Sequence, residues 1–167
     1  MGASGSAPGR GLHRRVIETG MSDHSFTKHI MDLLKAAGLN GAVLIFEMPP
    51  NQRSFGNALS VLGLGSVLLR FVRDRGQLFL DVAPSTRPES YYPFWTVQAA
   101  MGWRAFDEPA PASDLDTLHD TLDCLSRHHD ELQIAFSAAN FSSTLTKLEK
   151  TSRELAALIT TVQGPIQ

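Results

Sequence analysis

The sequence predicts an α+β domain, because strand and helix periodicities occupy separate parts of the chain. Runs with two-residue alternation fill the middle, whereas apolar seams at steps of three and four residues fill the C-terminal third. We expect an N-terminal helix, an antiparallel sheet of about four strands, a short aromatic helix and a C-terminal helical hairpin. With 167 residues, the chain is long enough for one domain with its own core.

The N-terminal segment is predicted to be a disordered leader. Gly, Ser, Ala and Pro dominate residues 1–20, and few side chains there could pack. The folded domain is expected over residues 21–167. It opens with a helix, since apolar residues recur at helical spacing from Phe26 onward, with Ser22 or Asp23 as the cap and Gly38 as the stop.

Four apolar runs predict the sheet. The first covers residues 42–47 and is closed by two prolines, and the second is "ALSVLG" at 58–63. The third and fourth flank residues 74–76, where a glycine can take a positive φ, so they form a hairpin. Its charged tip is read first as solvated structure and second as a partner contact, through Arg73, Asp74 and Arg75.

The remaining elements are helical. Pro93 can open a short aromatic helix from about Phe94 to Met101, ended by Gly102. A helical pair is expected over about 113–162, with a reversal near 137–140 where the seam loses its phase. The two seams are Leu115, Leu118, Leu122, Leu125, His129, Leu132 and then Phe141, Leu145, Leu148, Ser152, Leu155, Ile159, Val162.

Composition argues against several function classes. A net charge of −2 provides no basic field that would recruit nucleic acid or an anionic membrane. No run is long and apolar enough to cross a bilayer. A single cysteine, Cys124, fits a reducing compartment, so we expect a cytoplasmic protein.

The residues form no catalytic motif, so no enzyme activity, metal or cofactor is expected. Asp120, Cys124 and His128 are spaced four apart on one helical face, and each residue type can bind zinc. However, a second cysteine pair is missing, and Cys124 lies beside the apolar seam, where a thiol commonly packs. Packing is the favoured interpretation of this trio.

The clearest asymmetry is electrostatic. Between Asp107 and Glu131 the chain holds eight acidic residues, opposed by Arg127. A solvated helix face explains this pattern, and so does a docking surface for a basic partner, where complementary charge speeds encounter. The residues predicted to attract such a partner are Asp114, Asp116, Asp120 and Asp123.

The stretch "SFGNALSVLGLGSVLLRFVRDRGQLFLDVAPS", followed by the aromatic helix "YPFWTVQAAMG", resembles bacterial immunity-type proteins encoded beside polymorphic or contact-dependent toxins, over roughly residues 54–102. The residues that carry the resemblance are Arg70, Asp74, Arg75, Gly76, Gln77 and Asp81. The resemblance implies a non-enzymatic inhibitor that binds and occludes one cognate toxin. A cytoplasmic secretion chaperone, which holds an extended segment of an effector, is the alternative. The oligomeric state stays open.

Overall fold

The computed structural model describes residues 25–50, 57–106, 108 and 115–163. The predicted leader, the predicted helix cap and Asp114 therefore lie outside the described residues. The elements are α1 (Ser25–Ala36), β1 (Val43–Met48), β2 (Ala58–Leu64), β3 (Val67–Asp74), β4 (Gln77–Pro84), β5 (Tyr92–Pro93), α2 (Phe94–Met101), α3 (Leu115–Arg127), α4 (His129–Ala135) and α5 (Phe141–Gln163).

The five strands form one antiparallel meander in the order β1-β2-β3-β4-β5, which confirms the α+β class. The sequence indicated about four strands. The additional one, β5, is only two residues long and pairs with Asp81 and Val82 of β4. A strand of that length carries no periodicity, so it is defined by its hydrogen-bonded neighbour and not by its own sequence.

Helices cover one face of the sheet, which we call the inner face. Along β2, Ala58, Ser60, Leu62 and Leu64 are buried, whereas the residues between them are half-buried. The hydroxyls of Thr27 in α1 and Ser60 lie 2.6 Å apart, so the two buried groups satisfy each other where helix and sheet meet. On the opposite, outer face, most of the described side chains are half-buried or exposed.

The core lies between the inner face and the helices. Phe71 of β3, Phe94 of α2 and Phe136 beyond α4 are among its largest fully buried side chains. Burying such a side chain contributes about 1.5–3 kcal/mol relative to leaving it exposed. The alternation predicted for the central hairpin is confirmed, because Leu69, Phe71, Leu80 and Val82 all face this core.

Two local predictions match the structure closely. The hairpin turns at Arg75 and Gly76, whose φ values of 50° and 82° are both positive, as a type I′ turn requires. The aromatic helix covers Phe94–Met101 and ends at Gly102, which adopts a left-handed conformation with φ 73°. Both features depend on a glycine at the position where a positive φ is needed.

The C-terminal third contains three helices where the seams predicted two. The first seam continues to Leu132, which is buried, but the helix is interrupted at His128, where φ is −107° and ψ is 16°. The hydrogen bonds from His128 N to Cys124 O and from Leu132 N to His128 O persist, so the interruption is a bend between α3 and α4.

Helix α5 follows the turn predicted near 137–140. Among its described side chains, Phe141, Thr144, Leu148, Thr151 and Leu155 are buried, whereas the predicted seam residues Leu145 and Ser152 are half-buried. The side chains of Ile159 and Val162, which the second seam also includes, lie outside the described part. Thr144 Oγ1 donates to the carbonyl oxygen of Ala135 at 2.8 Å, which satisfies the hydroxyl inside the core. The described helix with the most extensive contact to α5 is α2.

Candidate protein-binding surface

Strand β1 is the open edge of the sheet. All six of its residues are exposed, and the exposed fraction reaches 61% at Val43 and Ile45 and 54% at Phe46. A continuous apolar run of this kind is typical of a strand buried on both faces. Here, no element of the described residues covers it. Large apolar side chains are therefore held in solvent at one edge of the domain.

A β-bulge sends most of these side chains to the outer face. The pairing of β1 with β2 shifts between Leu44 and Phe46, so Ile45 is an extra residue. Phe46 lies opposite Val61, which is on the outer face. Ile45 lies over Gly63, where a β-carbon would approach its Cδ1 atom to 3.3 Å. Both residues therefore lie on the outer face.

The apolar side chains of the outer face lie in adjacent rows across four strands, around the pair of Arg70 and Asp81, and we call this area the outer sheet surface. Cross-strand partners place its members in adjacent rows, and each is either exposed or half-buried. A contiguous apolar patch on a folded chain is typical of an interaction site. The members are Val43, Ile45, Phe46, Met48, Leu59, Val61, Leu68, Val72 and Phe79.

An ion pair, whose two opposite charges compensate each other, lies in the middle of this surface. Arg70 and Asp81 are opposed on β3 and β4, with Arg70 Nη2 2.8 Å from Asp81 Oδ2. The Arg70 guanidinium also lies 4.0 Å from the centre of the Tyr91 ring. The hydroxyl of Tyr91, whose pKa burial raises above the ordinary value of 10.0, is neutral at physiological pH. A partner covering this surface meets no uncompensated charge here.

Of the predicted hairpin-tip residues, Arg73 packs on the domain, Asp74 is half-buried, and the side chain of Arg75 is exposed. The Arg73 guanidinium lies 5.4 Å from the centre of the Phe26 ring, so it packs on α1. The backbone N–H of Arg75 donates to Asn57 Oδ1 at 3.1 Å, and its side chain is exposed. Asp74 is half-buried and closes the turn opposite Gln77. The hairpin tip is therefore held in place by contacts within the domain, and its role in binding stays a prediction.

The predicted acidic residues are only partly described. Asp114 lies outside the described residues, and Asp116 lies in α3 with its side chain outside the described part. Asp120 and Asp123 are exposed on α3. Asp130 and Glu131 of α4, beyond the bend, are also exposed.

The structure does not bring the hairpin tip and the C-terminal end of α3 together. Arg73 packs at Phe26, near the start of α1, whereas Ser126 Oγ donates at 2.6 Å to the carbonyl of Ala37, just beyond its end. A helical rise over the eleven steps from Phe26 to Ala37 is about 16 Å. The C-terminal end of α3, which follows the predicted acidic residues in the chain, therefore lies away from the hairpin tip.

A cluster that sequence reasoning missed ties the end of α2 to α4. The rings of Trp103 and His128 stack with centroids 4.5 Å apart. Trp103 Nε1 donates to Glu131 Oε2 at 2.9 Å, and His128 Nδ1 lies 3.2 Å from Glu131 Oε1. These hydrogen bonds hold the pKa of Glu131 below its usual value. The pattern offers no local signal, because Trp103 and His128 are 25 positions apart in the chain.

A cleft of about 550 Å³ lies between the loop after α1, the β2–β3 turn and the α3–α4 bend. Gln133 closes its floor: Nε2 donates to Leu64 O at 2.7 Å, and Oε1 accepts from the backbone N–H of Ser66. Its amide is therefore occupied in holding the turn. Across the described ranges, no three His, Cys, Asp or Glu side chains are grouped to hold a metal ion, and Cys124 is buried.

None of the helices within the described residues is long and apolar enough to span a membrane. No protein-family model, no curated protein and no solved structure matches this chain.

Proposed function

We propose that this chain is a non-enzymatic binding protein that neutralises a cognate bacterial toxin by occluding it. The observation that carries the proposal is the outer sheet surface, an open apolar face on an otherwise well-packed domain. The resemblance over residues 54–102 supports the same function, because it covers β2, β3 and β4. The toxin domain docks on this face in the cytoplasm and is sterically blocked.

The size of the surface supports a protein partner. Four strands about 4.8 Å apart and about 20 Å long present a flat area of roughly 400 Å². The largest apolar patches of monomeric proteins measure about 300–600 Å² and are often functional. Arg70 and Asp81 compensate each other's charge, but a partner that covers them removes a guanidinium that is 36% exposed from water, and the surrounding apolar contacts must offset that desolvation cost.

The acidic residues contribute to the rate of encounter. Asp120, Asp123 and the α4 carboxylates are exposed, so their field extends into solvent. These carboxylates lie on the helical layer, whereas the outer sheet surface is on the other side of the sheet, so their long-range field raises the frequency with which a basic toxin, such as a nuclease, encounters the domain and does not guide it to the docking face. Asp114 and Asp116 precede them in the chain and add to the same field.

A secretion chaperone is the second candidate, and the open edge at β1 favours it. An extended segment of an effector can add to an exposed edge as a further strand, while its alternate side chains lie on the apolar face. A chaperone binds an unfolded segment and leaves growth unaffected. A toxin inhibitor binds a folded domain and protects the cell.

The experiment compares two matched substitutions in the full chain. Phe79→Asp alters the outer sheet surface, and Leu158→Asp alters α5, at side chains that are 39% and 43% exposed. The tagged protein and both variants are used to capture partners from its own cells, and the captured protein is identified by mass. Its compact domain is then purified, titrated against each variant by calorimetry, and expressed in cells with and without this chain.

The proposal expects one-to-one binding of a folded domain that arrests growth alone and not when co-expressed. Phe79→Asp weakens binding at least about tenfold, and Leu158→Asp does not, because an aspartate in a desolvated apolar contact has no partner. Equal binding affinity of both variants for the captured domain contradicts a role of the outer sheet surface in binding. A captured partner that does not arrest growth and that binds through an extended segment supports the chaperone function instead.

A further inference from the structure

The two edges of the sheet differ in how they are protected. Strand β5 has two residues and runs directly into α2, so it offers little for another strand to pair with. Strand β1 has six residues, and among the described residues no strand pairs with its free side. Such an edge is usually protected by lysines, prolines, inward-pointing charges or bulges. Glu47 is the sole charge between Val43 and Met48, no lysine or proline lies within the strand, and Pro49 and Pro50 follow it.

The bulge gives β1 an unusual symmetry. Its register with β2 places Leu44 opposite Leu62 and Glu47 opposite Ser60, both on the inner face, and the other four residues point outward. The order along the strand is therefore out, in, out, out, in, out. This pattern reads the same in both directions, which a strand with strict alternation and an even number of residues cannot do.

We infer that β1 pairs antiparallel with β1 of a second copy, which joins the two sheets into one continuous ten-stranded sheet. In an antiparallel pair, opposed residues must point to the same face. One register satisfies this condition for all six residues, with the two-fold axis between Ile45 and Phe46. Its opposed pairs are Val43 with Met48, Leu44 with Glu47, and Ile45 with Phe46.

Other registers fail for definite reasons. A shift by one residue sets outward side chains against inward ones over most of the strand. If the two-fold axis passes through Leu44 instead, only residues 43–45 of each strand are paired. If it passes through Glu47, only residues 46–48 are paired. The latter also opposes two like carboxylates, which is destabilising. The symmetric register avoids this contact, because each Glu47 faces a Leu44.

A second copy fits this edge better than an unrelated strand. A two-fold interface requires a surface that is complementary to itself, and the palindromic face pattern of β1 has this property. A bulge normally protects an edge, because a regular strand cannot match it. In the symmetric register each bulge faces the other bulge, so this obstacle disappears.

The dimer leaves the outer sheet surface free. Edge hydrogen bonds run in the plane of the sheet, and the side chains of both copies still point to the same open face. The toxin-binding proposal is therefore neither required nor prevented by it. An edge contact of six residues is smaller than the standard interface of about 800 Å² per partner, so we expect a dissociation constant of roughly 1–100 µM.

The first test is sedimentation velocity of the full chain over about 1–200 µM, a range that brackets the expected constant. The mass should shift from monomer to dimer. Ile45→Lys, at the centre of the pairing, should remain monomeric. Ile134→Lys is the matched control, because it makes the same change at an exposed isoleucine of α4 (63% against 61% exposed) and should dimerise normally. Circular dichroism checks that both variants are folded.

The second test fixes the register by disulfide formation. Opposed residues of antiparallel strands have Cα atoms about 4.5–5.5 Å apart, within the range that a disulfide spans. The double variant Leu44→Cys/Glu47→Cys should form a covalent dimer under mild oxidation. Leu44→Cys and Glu47→Cys alone should not, since each thiol then faces an unchanged residue. The native Cys124 is buried and does not interfere.

A chain that stays monomeric at every concentration overturns the inference, whether or not another segment or another protein covers β1. A dimer that Ile45→Lys leaves intact forms through a different surface and overturns it as well. Efficient cross-linking by either single variant contradicts the symmetric register. Cross-linking by the double variant, with loss of the dimer in Ile45→Lys, establishes both the edge and the register.

Discussion

Arg70 and Asp81 lie directly opposite each other on β3 and β4, and both Nε and Nη2 of the arginine donate to the same carboxylate oxygen, at 3.0 and 2.8 Å. Tyr91 covers the guanidinium from above. The pair interrupts an apolar surface without leaving a net charge on it. Because Asp81 is the more buried partner, removal of Arg70 and removal of Asp81 should lower the free energy of unfolding by different amounts.

A double-mutant cycle should reveal coupling between these two residues. Arg70→Gln and Asp81→Asn each break the pair, and the double variant removes both charges. We expect a coupling free energy of about 1 kcal/mol, since the pair is only partly shielded from water. Urea denaturation of the four proteins at low and high salt measures it. A coupling near zero at low salt would show that the pair adds nothing to folding.

Tyr91 should contribute to a loss of stability at high pH. Burial raises its pKa above the ordinary value of 10.0. The unfolded chain therefore loses the phenol proton first, so the stabilising contribution is complete below about pH 10 and is lost as pH rises through the folded pKa. Absorbance titration of the wild type and of Tyr91→Phe identifies the late-titrating phenol, and urea unfolding of both proteins at neutral and alkaline pH gives the stability profile.

Tyr92 needs a separate control in that titration, because burial and the nearby Glu149 carboxylate also raise its pKa. Tyr92→Phe should remove a second late transition and leave that of Tyr91 in place. If Tyr91→Phe leaves the alkaline part of the stability profile unchanged, the ring is more solvated than its position over Arg70 indicates.

Glu131 should make the domain less stable in acid. The hydrogen bonds from Trp103 and His128 lower its pKa, so its contribution is present above the unfolded value of about 4.5 and is lost as pH falls through the folded value. Glu131→Gln should flatten this acidic decline. The measurement is urea unfolding at pH 7 and at pH 4, followed by tryptophan fluorescence. Asp130→Asn, which removes the neighbouring and almost fully exposed carboxylate, is the control.

Two glycines with positive φ should respond differently to alanine. Gly65 has φ 60°, and a β-carbon there would collide with the Gln133 side-chain amide. Gly76 has φ 82°, but a β-carbon would meet nothing within 4 Å. Gly76→Ala should cost about 1 kcal/mol from backbone strain alone, and Gly65→Ala more. Equal losses in thermal denaturation would mean that Gln133 moves aside freely.

The acidic residues at the start of α3 and within it should increase the rate of association, which can be measured once the partner is identified. Replacing Asp114, Asp116, Asp120 and Asp123 by lysine should slow association with a basic toxin by about tenfold or more at low salt, without unfolding the protein. Stopped-flow association at several ionic strengths measures this effect. The same four positions changed to asparagine provide the neutral control. Unchanged association kinetics in a folded lysine variant would exclude the acidic helix from the mechanism.

Local signals predicted most elements of the fold. The type I′ hairpin followed from a glycine between two alternating runs, and α2 followed from Pro93 and Gly102 at its ends. The bend at His128 was not predictable, because the ring that stacks on it belongs to Trp103, 25 residues earlier. The ion pair of Arg70 with Asp81 required the strand register, which neither residue specifies alone.

The sequence by itself determined the α+β class, the helix and strand periodicities and the turn positions, because these depend on φ/ψ preferences and hydrogen bonds between near neighbours. Tertiary structure alone decided that β1 is exposed. Its apolar residues predict a strand, but burial depends on which distant segments come to lie against it, and in the described part of the chain the helices pack on the inner face. The surface proposed to bind a partner is therefore visible only once the sheet is assembled.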